Sequence, residues 1–242
     1  MTLRNPFLNS FIEQEVKFYG LSTYQNGNVE VVHKNPSGRL DDYLNVNFVI
    51  GHPEIPVLYI EKKLWMSLTR AEIQGQFVPI LMSYGKVGIG GLGLGYVVLR
   101  IAEKENVEQI DVYEINPDII SFFKKNFCHR SGFEKINFIQ GDIRQNLKNK
   151  EYDFFFNDIY QTLLPEEIID DIALFTTNNK IEEYRFWGLE LVKLVLINNN
   201  YSYLTITKEE KEFFRLWSKS EGSKMRLVFE DVEFCEEIIE NI

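Results

Sequence analysis

The sequence predicts an α/β fold in which a mostly parallel, twisted sheet follows a small N-terminal β region. The first observation behind this prediction is a short apolar run that meets five glycines between residues 88 and 95. From there, strand-like apolar runs alternate with helical segments as far as residue 160, and such alternation favours a parallel sheet with right-handed crossovers. The run Tyr152–Asn157 is nearly continuously apolar, as in strands that are buried on both faces.

The composition is that of an ordinary globular protein, with 242 residues, of which 45% are hydrophobic and 26% charged. The net charge of −10 disfavours long DNA or RNA as a partner, because general nucleic-acid binders present a basic surface. Cys128 and Cys235 lie far apart, which argues against a disulfide scaffold or a zinc site. No apolar run is long enough to cross a bilayer and no secretion signal is recognisable, so the expectation is a cytoplasmic protein without a membrane partner.

Residues 1–64 are expected to form the N-terminal β-rich region, and residues 65–242 the domain that holds the parallel sheet. A short amphipathic segment at 1–20 precedes β-rich runs that are separated by turn residues, which predicts a small antiparallel meander. These β-rich runs are Val29–Val32, Leu44–Ile50 and Pro56–Ile60.

The elements of the second domain follow in order along the chain. A helix that begins after Thr69, in a Thr-x-x-Glu capping pattern, runs to about Ser83 and delivers the chain to the first strand. The strands predicted next are Val87–Gly90, Gln109–Ile115, Lys135–Ile139 and Tyr152–Asn157, and the helices between them are Tyr96–Asn106, Pro117–Phe127 and Asp142–Asn149. Beyond residue 158, weaker patterns predict helices at 165–175, 189–198 and 208–220 and strands at 183–187, 201–207 and 224–229.

Two registers of the glycine-rich stretch predict different cofactors. Gly88–Gly93 matches the G-x-G-x-x-G pattern of dinucleotide-binding folds, whereas Gly91–Gly95 has the G-x-G-x-G pattern typical of S-adenosylmethionine (SAM)-dependent methyltransferases. We favour the second register, because it leaves Val87–Gly90 within the strand and lets the helix begin at Tyr96. A strand, a glycine turn and a helix in this order present backbone N–H groups to a nucleotide-like ligand.

The ends of the next three strands carry groups that suit an adenosine. Glu114 follows the last glycine by about 20 residues, where a carboxylate accepts hydrogen bonds from ribose hydroxyls in either class of cofactor. Asp142 with Ile143 suits the amino group and ring face of adenine; Asp142 also suits the cap of the following helix, and the two roles are compatible. Asp158 follows the fourth strand, on the carboxyl edge where open α/β sheets bind ligands.

These motifs resemble the Rossmann-like core of class I SAM-dependent methyltransferases, and most of all their spermidine-synthase-like branch with its uncharacterised bacterial relatives. The likeness covers about residues 28–200 and is strong at Gly90–Tyr96, Val112–Pro117, Phe138–Asp142 and Tyr152–Asp158. It implies SAM as the cofactor. The cofactor-binding residues that it implies are Gly90, Gly91, Leu92, Gly93, Gly95, Glu114, Ile115, Asp142, Ile143 and Asp158.

Two departures from that family bear on the activity. Many methyltransferases carry an acid two residues before the first motif glycine, where this chain has Ile89. Aminopropyltransferases usually carry an Asp between the later glycines, which helps to hold an amine, where this chain has Leu94. The resemblance therefore favours methyl transfer over polyamine synthesis.

The activity expected is methyl transfer from SAM to a small-molecule acceptor. Asp158 is the candidate catalytic residue, as a base or orienting group, because a carboxylate after a buried strand is costly unless it is paired or functional. A helix cap or an ion pair is the alternative role for Asp158. Trp65 and Tyr160 are candidates for the wall of the acceptor pocket, and Trp65 suits the core equally well. The three histidines share no spacing typical of a metal site, so no metal is expected.

Three other functions stay open at this stage. One is an aminopropyltransferase that uses decarboxylated SAM, and another is a SAM-binding module without catalysis, which Ile89 would suit. A NAD-dependent dehydrogenase is the least favoured. The sequence leaves open the identity of the acceptor and whether the chain forms a homodimer.

Overall fold

The computed structural model describes residues 4–20, 23–35, 42–46 and 53–242. Its N-terminal part is a helix, α1 (Asn9–Tyr19), followed by a four-stranded antiparallel sheet whose strands pair in chain order. These strands are β1 (Tyr24–Asn26), β2 (Val29–Lys34), β3 (Ile55–Ile60) and β4 (Lys63–Ser67). The small antiparallel sheet predicted for this region is confirmed, and β4 continues beyond the predicted division at residue 64. Of the run predicted at Leu44–Ile50, residues 47–50 lie outside the described part of the chain.

The second sheet has five strands, and all of its pairings are parallel. Its strands are β5 (Gly85–Gly90), β6 (Val107–Glu114), β7 (Ile136–Gln140), β8 (Glu151–Asn157) and β9 (Lys180–Phe186), in the spatial order β7-β6-β5-β8-β9. The predicted α/β, Rossmann-like architecture is therefore confirmed. The strand order reverses direction between β5 and β8, and the carboxyl ends at such a switch point form the crevice in which these sheets bind ligands.

The central strands of this sheet are buried on both faces because apolar side chains occupy nearly every position. Phe154, Phe155 and Phe156 of β8 are fully buried, and so are Val87 and Ile89 of β5. This packing fixes the carboxyl ends of β5 and β8 side by side, with Gly90 paired to Asn157 in the ladder.

Helices connect the strands and cover the sheet, and several begin at the caps that their sequences predict. They are α2 (Arg70–Gly75), α3 (Phe77–Met82), α4 (Tyr96–Ala102), α5 (Pro117–Phe127), α6 (Ile143–Asn146), α7 (Ile168–Thr177), α8 (Leu189–Asn198), α9 (Lys208–Trp217) and α10 (Val232–Glu240). None of the helices in the described residues is long and apolar enough to span a membrane.

The single helix predicted from Thr69 to about Ser83 is two helices, α2 and α3, so this prediction is wrong in one respect. The Thr69 side chain does cap α2, since it accepts a hydrogen bond from the Glu72 N–H at 3.3 Å. The break falls at Gln76, because Pro79 has no N–H to donate to the Gly75 carbonyl. Gln76 itself keeps helical backbone angles, and its side chain lines the site described below.

The strands predicted at 201–207 and 224–229 are wrong. Residues 201–207 contain no buried side chain, and Tyr203 is 63% exposed, so this segment has no apolar face with which to join the sheet. Residues 226–228 instead pair with Leu44–Val46, through the Val46 N–H to the Arg226 carbonyl and the Val228 N–H to the Leu44 carbonyl, both at 3.0 Å. Part of the segment predicted as a strand at 224–229 thus forms a short antiparallel bridge to the N-terminal region.

Candidate cofactor-binding site

A cleft of about 390 Å³ opens at the carboxyl ends of β5, β6, β7 and β8. All but one of the residues predicted for the site line this cleft. They are Gly91, Leu92, Gly93, Gly95, Glu114, Ile115, Asp142, Ile143, Asp158, Trp65 and Tyr160. The exception is Gly90. Its carbonyl accepts a hydrogen bond from the Asp158 N–H at 2.8 Å, which links the end of β5 to the segment after β8.

The glycine loop, defined as Gly91–Gly95, forms in the second of the two sequence registers. Gly91, Gly93 and Gly95 all have positive φ, at +85°, +51° and +76°, which other residues rarely adopt. Gly88, by contrast, lies inside β5, and a Cβ there would overlap the Phe155 ring. Gly88 is therefore required for packing within the sheet, and the ligand-facing turn is the G-x-G-x-G segment.

Four backbone N–H groups of the glycine loop donate hydrogen bonds inside the protein. The bonds are Gly91 to the Tyr113 carbonyl (2.9 Å), Leu92 to Glu114 Oε2 (2.9 Å), Leu94 to Met66 Sδ (3.2 Å) and Gly95 to the Leu92 carbonyl (2.7 Å). A diphosphate requires several free N–H groups from such a loop. The loop itself therefore suits a ligand that is anchored through its nucleoside, and the N–H groups that remain at this edge are those of Tyr96 and Val97, which begin α4 and line the cleft.

Glu114 lies where it can hold a ribose. Its Oε2 accepts from the Leu92 N–H and its Oε1 from the Asn116 N–H at 2.8 Å. Burial raises the pKa of Glu114, while these backbone N–H groups lower it. A carboxylate has about four acceptor positions, so each oxygen retains capacity for a hydroxyl donor from the cleft.

The predicted adenine-binding residues also line the cleft. Ile115 lines the cleft with its side chain 67% exposed, and Ile143 is buried at its wall. Asp142 caps α6, because its Oδ1 accepts from the Arg144 N–H at 2.9 Å, and it also lines the cleft. The capping role considered from the sequence is thus observed, and the second oxygen, Oδ2, accepts from Gln145 Nε2 at 3.4 Å.

Two acids in the cleft are bridged by an amide. We call this cluster, which consists of Glu72, Gln76 and Asp158, the carboxylate pair and its bridge. Gln76 Nε2 donates to Glu72 Oε2 and to Asp158 Oδ2, both at 3.2 Å. Burial raises the pKa of Asp158 to about 7, and the Gln76 hydrogen bond opposes that shift. Burial and the negative charge of Asp158 raise the pKa of Glu72 well above its usual value. Both carboxyl groups are therefore weaker acids than an exposed Asp or Glu.

Sequence reasoning identified Asp158 but missed its two neighbours. Glu72 was assigned only to the capping box of α2, yet its side chain bonds Gln76 instead of completing that box. The spacing of four residues between Glu72 and Gln76 was the available signal, since it places both side chains on one side of the chain.

Tyr160 is held in place at the edge of the cleft by charged neighbours. Its hydroxyl donates to Asp171 Oδ2 at 2.6 Å. Arg144 donates to both oxygens of Asp171, each at 2.7 Å, and also lines the cleft. Arg144 was missed because Asp171 and Tyr160 approach it only in the folded chain.

The lining of the cleft is acidic. Its acidic residues are Glu72, Glu114, Asp142 and Asp158. Within the described part of the chain, Arg144 is the one Lys or Arg that lines the cleft, and Asp171 already neutralises it. A lining of this kind favours a cationic ligand.

Two tryptophans line the cleft. Trp65 on β4 is 42% exposed, so the pocket-wall prediction describes its position better than a place in the core. Trp187, which sequence reasoning missed, lines the same cleft, and its buried Nε1 has no hydrogen-bond partner among the described residues. The buried Gln76 Oε1 likewise has no partner there, so a donor and an acceptor remain for a ligand to satisfy.

The two departures from the family pattern lie away from the cleft. Ile89 and Leu94 are both fully buried, and neither lines the cleft. The Leu94 carbonyl accepts a hydrogen bond from the Tyr19 hydroxyl of α1 at 2.8 Å. A carboxylate at either position would therefore be buried beneath the glycine loop.

Replacing Gly91 by alanine is expected to reduce the free energy of unfolding by about 2–4 kcal/mol, because the new Cβ would overlap the Asp158 carbonyl as well as strain the backbone. Gly27→Ala is the matched control: its φ is also positive, at +56°, but the nearest atom to a new Cβ is 3.4 Å away. This control is expected to cost only about 1 kcal/mol. Urea unfolding of both variants tests the difference, and equal losses would contradict the close contact at Gly91.

Comparison with known proteins locates similar folds among solved structures. No protein-family profile matches the chain. No curated protein sequence matches it significantly. Similar solved structures include Trm5b from Pyrococcus abyssi (16% identity, TM-score 0.38), spermidine synthase from Thermotoga maritima (15%, 0.39) and the CcbJ methyltransferase from Streptomyces caelestis (13%, 0.38).

These similarities are partial on both sides. They cover 52%, 66% and 46% of this chain, and 35%, 52% and 49% of the three other chains. The chain thus matches between about a third and a half of the length of these proteins. At these levels of identity the likeness concerns the fold alone.

Proposed function

We propose that this chain is a SAM-dependent methyltransferase that acts on a small-molecule acceptor. The observation that carries the proposal is the carboxylate pair and its bridge, which lies against the glycine loop at the switch point of the sheet. When bound, SAM supplies an electrophilic methyl group on a sulfonium centre. The acceptor supplies the nucleophile, S-adenosylhomocysteine leaves, and residues of the chain position the two reactants and take up the proton that the acceptor loses.

The lining residues fit an adenosine that carries a positive charge. Glu114 retains acceptor positions for ribose hydroxyls, and Ile115 and Ile143 offer apolar surface for the adenine ring. The N–H groups of Gly91, Leu92, Leu94 and Gly95 are bonded within the protein, and the acidic lining disfavours a diphosphate and favours a cation. These features together favour a sulfonium nucleoside over a nicotinamide dinucleotide.

Asp158 is proposed to act as the base for the acceptor. A carboxylate with a pKa near 7 is ionised in a substantial fraction of molecules at neutral pH and is a stronger base than an ordinary aspartate. Gln76 holds its Oδ2, which leaves Oδ1 for a proton on an acceptor hydroxyl or amine. Trp65 and Tyr160 are proposed to enclose the acceptor on the opposite side.

The rate of transfer is expected to rise with pH. The base must be ionised, so kcat/KM should increase by about tenfold per pH unit below the apparent pKa of the pair and level off above pH 7–8. A pH profile of kcat/KM measures this, and a rate that is constant from pH 5.5 to 8.5 would exclude Asp158 as the base.

A second candidate is aminopropyl transfer from decarboxylated SAM, which the charge of the cleft favours. Decarboxylated SAM lacks the carboxylate of SAM, and the one cation at the described lining, Arg144, is already paired with Asp171. Leu94 argues against this candidate, because the amine-holding Asp of that family is missing. Incubation of decarboxylated SAM with putrescine decides the question, and we expect no product.

The first test of the proposal is calorimetry with S-adenosylhomocysteine (SAH) and, separately, with NADH. Saturable binding of SAH without binding of NADH is expected. An absence of SAH binding would refute the proposal. Transfer of labelled methyl from SAM to a panel of small amines, phenols and carboxylates then identifies the acceptor class. Binding without transfer to any acceptor, together with a stable protein partner in pull-downs, would favour a non-catalytic SAM-binding module.

A further inference from the structure

The Leu94 peptide of the glycine loop is held on both sides by other parts of the chain. Its carbonyl accepts from the Tyr19 hydroxyl at 2.8 Å, and its N–H donates to Met66 Sδ on β4 at 3.2 Å. The Met66 sulfur also lies directly over Gly93, where a Cβ would overlap it. The thioether of Met66 thus brings the small antiparallel sheet into contact with the glycine loop.

The two ends of the glycine loop have different neighbours. Gly91 lies against the Asp158 backbone, whereas Gly93 and Leu94 lie against Met66. Glu114, which bonds the Leu92 N–H between them, marks the proposed ribose position. If the acceptor approaches from the Asp158 end, the remaining substituent of the donor sulfur extends toward Met66.

We propose that the Met66 thioether competes with the tail of the donor for the Leu94 N–H, and that Met66 therefore determines which tails the site accepts. This inference rests on the proposed function. In this competition the carboxylate of a donor tail is favoured over Met66, because a thioether is a weak hydrogen-bond acceptor whereas a carboxylate is a strong one. The N–H groups of Gly91, Leu92 and Gly95 donate to carbonyl or carboxylate oxygens, which are stronger acceptors than the sulfur that holds the Leu94 N–H.

The flexibility of methionine makes this exchange feasible. Its unbranched side chain has three rotatable bonds and adapts to irregular space, so it can leave Gly93 without movement of β4. A ligand that ends in a methyl group at sulfur, such as 5′-methylthioadenosine (MTA), has no group for the Leu94 N–H and leaves Met66 in place. SAH carries the amino-acid tail and must displace the sulfur.

Calorimetric titration of wild type and Met66→Ala with MTA and with SAH tests the proposal. Met66→Ala is expected to raise the affinity for SAH by about tenfold relative to MTA, because the tail then gains the Leu94 N–H without a competitor. Met66→Leu preserves the packing volume, guards against a folding defect, and is expected to shift the ratio in the same direction. Met225→Ala, at an exposed methionine outside the cleft, is the matched control and is expected to leave both affinities unchanged.

A second readout follows the Met66 methyl group directly. The chain has four methionines, so methyl-labelled methionine gives a simple NMR spectrum in which Met66→Leu identifies the Met66 signal. SAH is expected to shift that signal, and MTA to leave it close to its position in the free protein. If MTA binds but the SAH-to-MTA ratio is the same in wild type and in both Met66 variants, the inference is wrong and the proposed function stands. If neither nucleoside binds, the proposed function fails and the inference fails with it.

Discussion

Replacing Asp158 by asparagine is expected to lower kcat for methyl transfer by a factor of about 10²–10⁴ and also to make the protein more stable at pH 8. The loss of rate follows from the loss of the base. The gain in stability follows from burial, which raises the pKa of Asp158 to about 7 and so makes its ionised form unfavourable in the folded protein. Asparagine keeps an oxygen for the Gln76 hydrogen bond but carries no charge.

The sign of the pH dependence is fixed by the direction of this shift. The folded state binds a proton at Asp158 more tightly than the unfolded state, so the wild type gains stability as pH falls below 7. The wild type is therefore at its greatest disadvantage above pH 7, where Asp158→Asn is expected to be more stable by about 2–4 kcal/mol. The advantage should decline through pH 7 to 4 and vanish below pH 4, where the carboxyl group is protonated in both states.

Urea unfolding at pH 4 and pH 8 measures this difference. Asp170→Asn, at an exposed aspartate on α7, is the matched control and is expected to change stability by less than about 0.5 kcal/mol at either pH. A loss of stability in Asp158→Asn at pH 8 would show that Asp158 serves the fold as an ion-pair or capping residue. Unchanged kcat in a folded variant would remove Asp158 from the mechanism.

Replacing Glu114 by glutamine is expected to weaken SAH binding by about 100-fold. Two hydrogen bonds from ribose hydroxyls to a carboxylate contribute about 3 kcal/mol together, and an amide replaces one acceptor oxygen by a donor. That donor would also face the Leu92 or Asn116 N–H, so the glycine loop would lose part of its support. Calorimetry with SAH measures the affinity.

The control for this variant lies on the same strand. Glu108→Gln changes an exposed glutamate near the start of β6 and is expected to leave SAH affinity unchanged. An MTA titration separates the contribution of the ribose from that of the amino-acid tail, because MTA has the same ribose but no such tail. If Glu114→Gln binds SAH and MTA as wild type does, the ribose is held elsewhere and the assignment of the site is wrong.

The sequence predicted those parts of the site that depend on local pattern. The glycine loop follows β5 directly, Glu114 ends β6 and Asp142 comes two residues after β7, so identifying the strands was enough to place them at one edge of the sheet. Even the choice between two glycine registers could be made, because only one of them leaves Gly88 inside β5.

The parts that were missed depend on contacts between distant segments. Gln76 reaches Asp158 across 82 positions, and Arg144 reaches Asp171 across 27. Their roles follow from how α2 and α7 pack against the sheet, which no local pattern records. The strands predicted at 201–207 and 224–229 failed for a related reason, since β-like composition forms a strand only where a partner edge and a buried face are present.

The pairing of Leu44–Val46 with residues 226–228 has a consequence for the newly made chain. Asn45 and Arg226 are 181 positions apart, so at bacterial or eukaryotic rates of translation the first segment leaves the ribosome roughly 10–40 s before its partner. During that interval the backbone of Leu44–Val46 lacks its native hydrogen-bond partners and is open to pairing with other chains. We therefore expect this seam to close after the parallel sheet has formed, and the nascent chain to be most prone to aggregation before residues 226–228 emerge.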